Sequence, residues 1–172
     1  IPARHLLPLI GRFLAGDHGT QIRLSYEVLG GGWDALVTGR ADLVIGAVGD
    51  MPAKGGIGTR QFAEARMAFM VAPGHPLAAW DGPLPAAELR RYRAVTIADT
   101  SRELAARTAG LPEGQETLRV PDMEAKAAAQ AAGLGVGHLP RWLATREAAA
   151  GRLVERELAE PRPGMPCHVA WR

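Results

Sequence analysis

Hydrophobic residues recur along the chain at two spacings, and the spacings alternate. Leu6, Leu7, Leu9, Ile10, Phe13 and Leu14 share one helical stripe, with Pro2 where the start of a helix tolerates proline. Ile22, Leu24, Tyr26 and Val28 alternate with Arg23, Ser25 and Glu27, which predicts a half-buried strand. Gly30, Gly31 and Gly32 interrupt it, residues 33–38 read as a short helix closed by Gly39, and residues 42–46 form an apolar run of the buried parallel-strand type. A Pro- and Gly-rich loop over 50–58 precedes strand pieces near Phe62 and over 67–71.

The break Pro73-Gly74-His75-Pro76 opens the second half. A short helix is expected over 85–91 and a strand over 94–98, after which Thr100 or Ser101 is placed to cap another short helix. A strand over 118–120 leads to Asp122, which caps the clearest helix in the chain, 123–132, ended by Gly133. Residues 136–139 return as a strand, Pro140 starts a last helix that Gly151 ends, and 167–171 is a final strand. Alternating helices and strands specify an α/β fold. The punctuation divides it into lobe I (1–72 and 165–172) and lobe II (73–164), with a cleft between them suited to a small ligand.

Composition narrows the picture only at its edges. The chain has 172 residues, 47% hydrophobic and 22% charged, a globular balance large enough for one domain or two small lobes. No apolar run approaches the roughly 18 residues a membrane helix needs. A net charge of +2, from 20 basic and 18 acidic residues, does not by itself argue for nucleic-acid binding. Cys167 is the only cysteine, which excludes an intramolecular disulfide and a multi-cysteine zinc site. The opening Ile1-Pro2, without a leader pattern, and the closing apolar strand are expected to be cut ends within a larger protein.

Candidate chemistry concentrates at element junctions. Gly30-Gly31-Gly32-Trp33 runs from strand to glycines to helix, an order that offers backbone N–H groups to an anion or a carbonyl or simply makes a permissive turn. Trp33 stacks on a flat ligand in one reading and fills a core in the other. Asp99-Thr100-Ser101-Arg102 also follows a strand, so its hydroxyls either cap a helix or reach into the cleft. Gly133-Leu134-Gly135-Val136-Gly137 imitates a nucleotide loop, but a helix precedes it and a strand follows, the reverse of the required order. It reads as a helix end and a tight turn at the border of the cleft. His138 follows that turn as a structural or cleft-facing histidine. The five histidines are dispersed, no G-x-S-x-G elbow exists, and Cys167 in an apolar strand reads as a small hydrophobe. No catalytic residue, metal site or cofactor is expected.

Four stretches taken in order carry a resemblance: Leu6-Leu7-Pro8-Leu9-Ile10, the run 39–46 (Gly-Arg-Ala-Asp-Leu-Val-Ile-Gly), the run 71–77 (Val-Ala-Pro-Gly-His-Pro-Leu) and the run 131–140 from Ala131 to Pro140. Each is weak alone. As an ordered set spanning the chain they resemble the effector-binding domain of LysR-type transcriptional regulators. The resemblance implies a type-2 periplasmic-binding-protein fold, two Rossmann-like α/β lobes joined by two crossover strands. It implies effector contacts at Gly31, Gly32, Trp33, Ala47, Thr100, Ser101, Met123, Gly135 and His138. It also implies a homodimer through lobe I, the first helix of one copy near residues 22–28 of the other, and tetramers of the full-length protein. In that family a winged helix-turn-helix and linker precede this domain, as does a first strand, and a helix follows the last strand. DNA contact is therefore expected only through the absent N-terminal part, in a cytoplasmic protein with no membrane partner. The expected function is sensing of a small metabolite without turnover. A solute-binding protein of the same fold is one alternative, and a small α/β enzyme is another.

Overall fold

A computed structural model describes residues 1–16, 18–52, 56–107 and 114–172. Its elements in chain order are α1 (Ala3–Leu14), α2 (Gly31–Val37), β1 (Leu43–Val48), β2 (Gly58–Ala65), β3 (Met67–Val71), α3 (Ala86–Leu89), β4 (Ala94–Ile97), β5 (Thr117–Val120), α4 (Met123–Ala131), β6 (Gly137–Pro140), α5 (Arg141–Ala149), β7 (Val154–Arg156) and β8 (Met165–Trp171), with a 3-10 turn at Pro76–Ala79.

Three sheets organise the described residues, the third being the pair β4 and β5. In the first, β8 lies between β1 and β2 and runs antiparallel to both. In the second, β3 lies between β6 and β7, again antiparallel. A parallel bridge between Ala94 and Val136 sets β4 beside β6, and β5 pairs parallel with β4. The chain passes from the first sheet to the second at Arg66, between β2 and β3, and returns over residues 157–164, between β7 and β8.

β3 shows why the second lobe forms. Its alternate side chains point to opposite faces. Ala68 and Met70 pack with Ala127, Leu139, Leu143, Ala144 and Leu153 under α4 and α5. Phe69 and Val71 pack with Leu77, Leu84 and Val136 on the other face. A strand covered on both faces must be apolar throughout, as Met67–Val71 is. The ladder partners of β3, which are β6 and β7, all belong to the second sheet. The first lobe has a smaller core of Trp33, Leu36, Ala47 and Ala170, where α2 covers β1 and β8.

Local signals explain the best-read helix. Asp122 Oδ1 accepts from the Ala125 N–H at 2.8 Å, which satisfies a donor that the first turn of α4 leaves open. Gly133, just beyond its end, has φ +73°, a conformation that disfavours side chains with a Cβ.

Three expectations are corrected. Residues 22–28 form no strand and join no ladder among the described residues, because alternation supplies a face while a strand also needs a neighbouring edge. The run 42–46 belongs to an antiparallel pair, β1 with β8, and Leu43 and Ile45 are exposed rather than buried on both faces. Among the described residues no helix follows Thr100 and Ser101; residues 101–107 form an irregular loop whose amides turn to carboxylates instead.

Candidate functional site

The two lobes meet where the glycines before α2 face the loop after β4. A Cβ on Gly31 would lie 1.9 Å from Thr100 Oγ1 and 2.7 Å from Glu27 Oε2, so only glycine permits this approach. A Cβ on Gly30 would lie 2.6 Å from Ser101 Oγ and 3.1 Å from Asp99 Oδ2. The glycines thus act as a landing surface for the opposite lobe. Thr100 Oγ1 accepts from the Val28 N–H at 2.9 Å and donates to the Glu27 carboxylate.

Two carboxylates collect the backbone donors of this junction. Asp99 accepts from the N–H groups of Ser101 at 2.7 Å, Arg107 at 2.6 Å and Gly30, across the junction, at 3.1 Å. Asp34, on α2 and 0% exposed, accepts from Glu103 N–H at 2.9 Å and Leu104 N–H at 2.7 Å. Its other oxygen takes the Arg40 guanidinium at 2.8 Å, and Arg40 also donates to Glu27 at 2.6 Å. Burial alone would raise the Asp34 carboxyl. The Leu104 N–H, Arg40 and Glu103 N–H outweigh it and hold that group well below the usual carboxylate range. Asp99 is also held low: burial opposes the shift, and the donors of Ser101, Arg107 and Gly30 produce it. Arg107 completes the junction by donating to the Val48 carbonyl at 2.8 Å and the Asp50 carbonyl at 2.6 Å.

Of the expected site residues, the structure brings Gly31, Thr100 and Ser101 together at this junction. Gly32 instead backs onto β1, where a Cβ would lie 3.1 Å from Val44. Trp33 is a core residue, 0% exposed, with its indole N–H donating to the Val48 carbonyl at 3.0 Å. Ala47 is buried in the same core. Both side chains therefore face the interior of lobe I rather than the cleft. Met123 opens α4 and packs on the core of lobe II. Gly135 is pressed onto β4, where a Cβ would lie 2.5 Å from the Arg93 carbonyl oxygen. His138 sits on β6 with its ring edge-on to Phe69, centroids 5.3 Å apart. Burial, helped by the charges of Arg162 and Lys126, pushes its pKa down to about 3.

Sequence reasoning missed Asp34, Glu27, Arg40 and Arg107. One signal was available for Asp34: an acidic residue in the first turn of the helix after the glycines. A separate depression of about 470 Å³, lined by residues 72–76 and 131–133, includes His75, whose Nδ1 accepts from the Leu77 N–H.

Comparison with known proteins decides the family. The model of the LysR substrate binding domain matches residues 1–172. The chain belongs to the LysR substrate-binding domain family. It is 36% identical over 170 residues to the uncharacterized HTH-type transcriptional regulator YeeY of Escherichia coli K12, covering 99% of this chain and 55% of that protein. The regulatory domain of NMB2055 (MetR), a LysR family regulator from N. meningitidis, solved as a double cysteine-to-serine mutant, superposes with a TM-score of 0.70 at 20% identity, covering 97% of this chain and 78% of that one. The Synechocystis PCC6803 CcmR regulatory domain, solved in complex with 2-PG, gives a TM-score of 0.67 at 17% identity, covering 98% and 82%. The two-lobed LysR fold expected from the sequence is the fold of these regulatory domains, and no helix among the described residues is long and apolar enough to cross a membrane.

Proposed function

We propose that this LysR domain senses a small metabolite held between its lobes, and that the ligand changes lobe orientation and so the placement of DNA-binding domains elsewhere in the full protein. One observation carries the reading: the Thr100 hydroxyl of one lobe is seated on Gly31, Val28 and Glu27 of the other. The junction combines hydrogen bonds, several of them to charged groups, with one apolar contact, Leu104 on the core of lobe I. A ligand that replaces some of these bonds shifts the balance between orientations. The CcmR domain's complex with 2-PG supports a small-molecule site in this fold.

We also propose that the full protein works in the cytoplasm as a homodimer, or as a tetramer built from dimers. Leu7, Leu9, Phe13 and Leu14 of α1 are exposed, as are Ile22, Leu24 and Tyr26 of the segment 22–28. The Tyr26 hydroxyl ties that segment to the start of α1 by accepting from the Ala3 N–H at 3.1 Å. An apolar helix and an apolar edge on one lobe suit a two-fold interface in which each covers its counterpart. A solute-binding protein would use the cleft in the same way; the relationship to an HTH-type regulator over 99% of the chain favours the regulator. Against an enzyme, His138 and Cys167 lie in different sheets, and burial pushes the Cys167 thiol up, which weakens it as a nucleophile.

The test is a double variant, Thr100→Val with Ser101→Ala, in calorimetric titrations with whichever small molecule stabilises the wild-type chain in a thermal-shift screen. Loss of two polar partners is expected to weaken binding about 10-fold or more, at about 1 kcal/mol per net hydrogen bond, with an unchanged circular dichroism spectrum. Equal affinity in wild type and variant would remove these hydroxyls from the site.

A further inference from the structure

We propose that Arg4 and Trp142 form a second contact between the lobes, coupled to the Thr100 junction, through which lobe movement reaches α1. This rests on the sensor reading and adds a route from the cleft to the helix with the exposed apolar stripe.

α1 belongs to lobe I and α5 to lobe II, and they meet at one pair of side chains. The Arg4 guanidinium carbon lies over the Trp142 ring, 5.2 Å from its centroid. That is inside the roughly 6 Å within which an aromatic face attracts a cation. Trp142 is fixed from its own side. Arg146, four residues further along α5, reaches the same ring at 5.9 Å and is itself held by ion pairs with Glu124 and Glu147. Arg141, just before Trp142, donates its N–H to the Arg66 carbonyl at 2.9 Å, at the crossing between β2 and β3. The ring therefore moves with lobe II. Arg4, in contrast, makes no ion pair among the described residues, and the ring is its one partner there.

The other end of this contact leads back to the junction. No residue of α1 is buried, so its packing does not fix it. Its start is held instead by Tyr26, whose hydroxyl accepts from the Ala3 N–H at 3.1 Å and donates to the Ile1 carbonyl at 3.4 Å. Tyr26 is followed by Glu27 and Val28, the two residues that Thr100 grips from lobe II. Lobe II thus holds the segment 22–28 from two directions: directly through Thr100, and at Tyr26 through Arg4 and the start of α1. Tyr26 and Val28 are two residues apart, at most about 7 Å along the chain, so one grip cannot slip far without displacing the other.

A cation over a ring loses its attraction within a few ångströms of movement. A ligand that replaces the bonds of Thr100 consequently loosens Arg4 on Trp142, and α1 shifts together with its exposed Leu7 and Phe13. Coupling of this kind is a free energy shared by two contacts, so it is read by changing one and observing the other.

The experiment labels the 172-residue chain, which has four tryptophans, with 5-fluorotryptophan and follows it by 19F NMR. Trp142→Phe assigns the Trp142 resonance. Arg4→Gln removes the cation and is expected to move that resonance, and Arg4→Lys to restore most of its position. Thr100→Val touches neither residue, yet it is expected to move the Trp142 resonance in the same direction. The double variant Arg4→Gln with Thr100→Val adds little to the larger single shift. Thr100→Ser keeps the hydroxyl and leaves the resonance in place. In the reverse direction, Arg4→Gln is expected to speed hydrogen exchange of the Val28 and Gly30 N–H groups about 2- to 5-fold, as for the loss of one exposed cation–π contact. A Trp142 resonance that ignores Arg4→Gln would overturn the contact. One that follows Arg4→Gln but ignores Thr100→Val would overturn the coupling, and so would unchanged exchange at Val28 and Gly30. None of these readouts needs a ligand, so their failure leaves the sensor reading standing. A chain that no metabolite stabilises overturns that reading and the signalling role built on it, while the contact itself stands or falls by the Trp142 resonance.

Discussion

Asp34→Asn is expected to destabilise the domain by about 2–4 kcal/mol and to free the loop 101–107 from lobe I. The wild-type carboxylate is fully buried and shares its two oxygens among the Glu103 N–H, the Leu104 N–H and the Arg40 guanidinium. Asparagine keeps the shape but retains a single acceptor and turns an NH2 group toward either two N–H donors or a cation. Hydrogen bonds to charged groups contribute about 1.5–3 kcal/mol each, and breaking a fully buried ion pair costs about 3–5 kcal/mol. The lower range applies here because Arg40 is a quarter exposed and keeps Glu27 as a partner.

The pH dependence follows in sign. The folded-state pKa of Asp34 lies below its unfolded value, so its contribution is complete above the unfolded value near pH 4 and is lost as pH falls toward the folded one. Urea unfolding from pH 7 downward should therefore show wild type and Asp34→Asn converging in acid. A difference below about 0.5 kcal/mol at pH 7, the scatter of ordinary surface substitutions, would mean that the carboxylate does not hold the junction.

Trp33→Ala should cost about 3–5 kcal/mol, the range for emptying an aromatic site in a packed core. The core of lobe I is small, so neighbours Leu36, Ala47 and Ala170 cannot fill the space by shifting. The indole also donates to the Val48 carbonyl, which Arg107 reaches from the other lobe, so the loss extends to the junction. Trp33→Phe separates the two roles first considered for this residue. With Trp33 in the core, phenylalanine costs about 1 kcal/mol for the lost hydrogen bond and changes ligand affinity little. A large loss of affinity with unchanged stability in Trp33→Phe would instead place the ring against the ligand.

These residues also show what the sequence could disclose. α4 was legible because its cap, its alanine-rich body and the glycine after it are local signals that agree. β3 was legible because burial on both faces leaves an unbroken apolar run. Residues 22–28 misled because their alternation is real while their partner edge is not among the described strands. At the site, Gly31 and Thr100 were found because glycines before a helix and hydroxyls after a strand are unusual enough to notice. Asp34 was not. It reads as a solvated polar position on its helix, and only contacts made 69 or 70 residues away bury it. Burial of a polar side chain is a tertiary fact, and helical spacing contains no trace of it.

A small molecule that binds between the lobes and alters how they meet is detected by titrating the 15N-labelled chain with a stabilising ligand. Amide shifts are expected on both sides of the junction, at Gly30 and Gly31 and at Ser101, Glu103, Leu104 and Arg107, saturating together. Shifts confined to the depression at residues 72–76 and 131–133, with the junction unmoved, would contradict binding between the lobes.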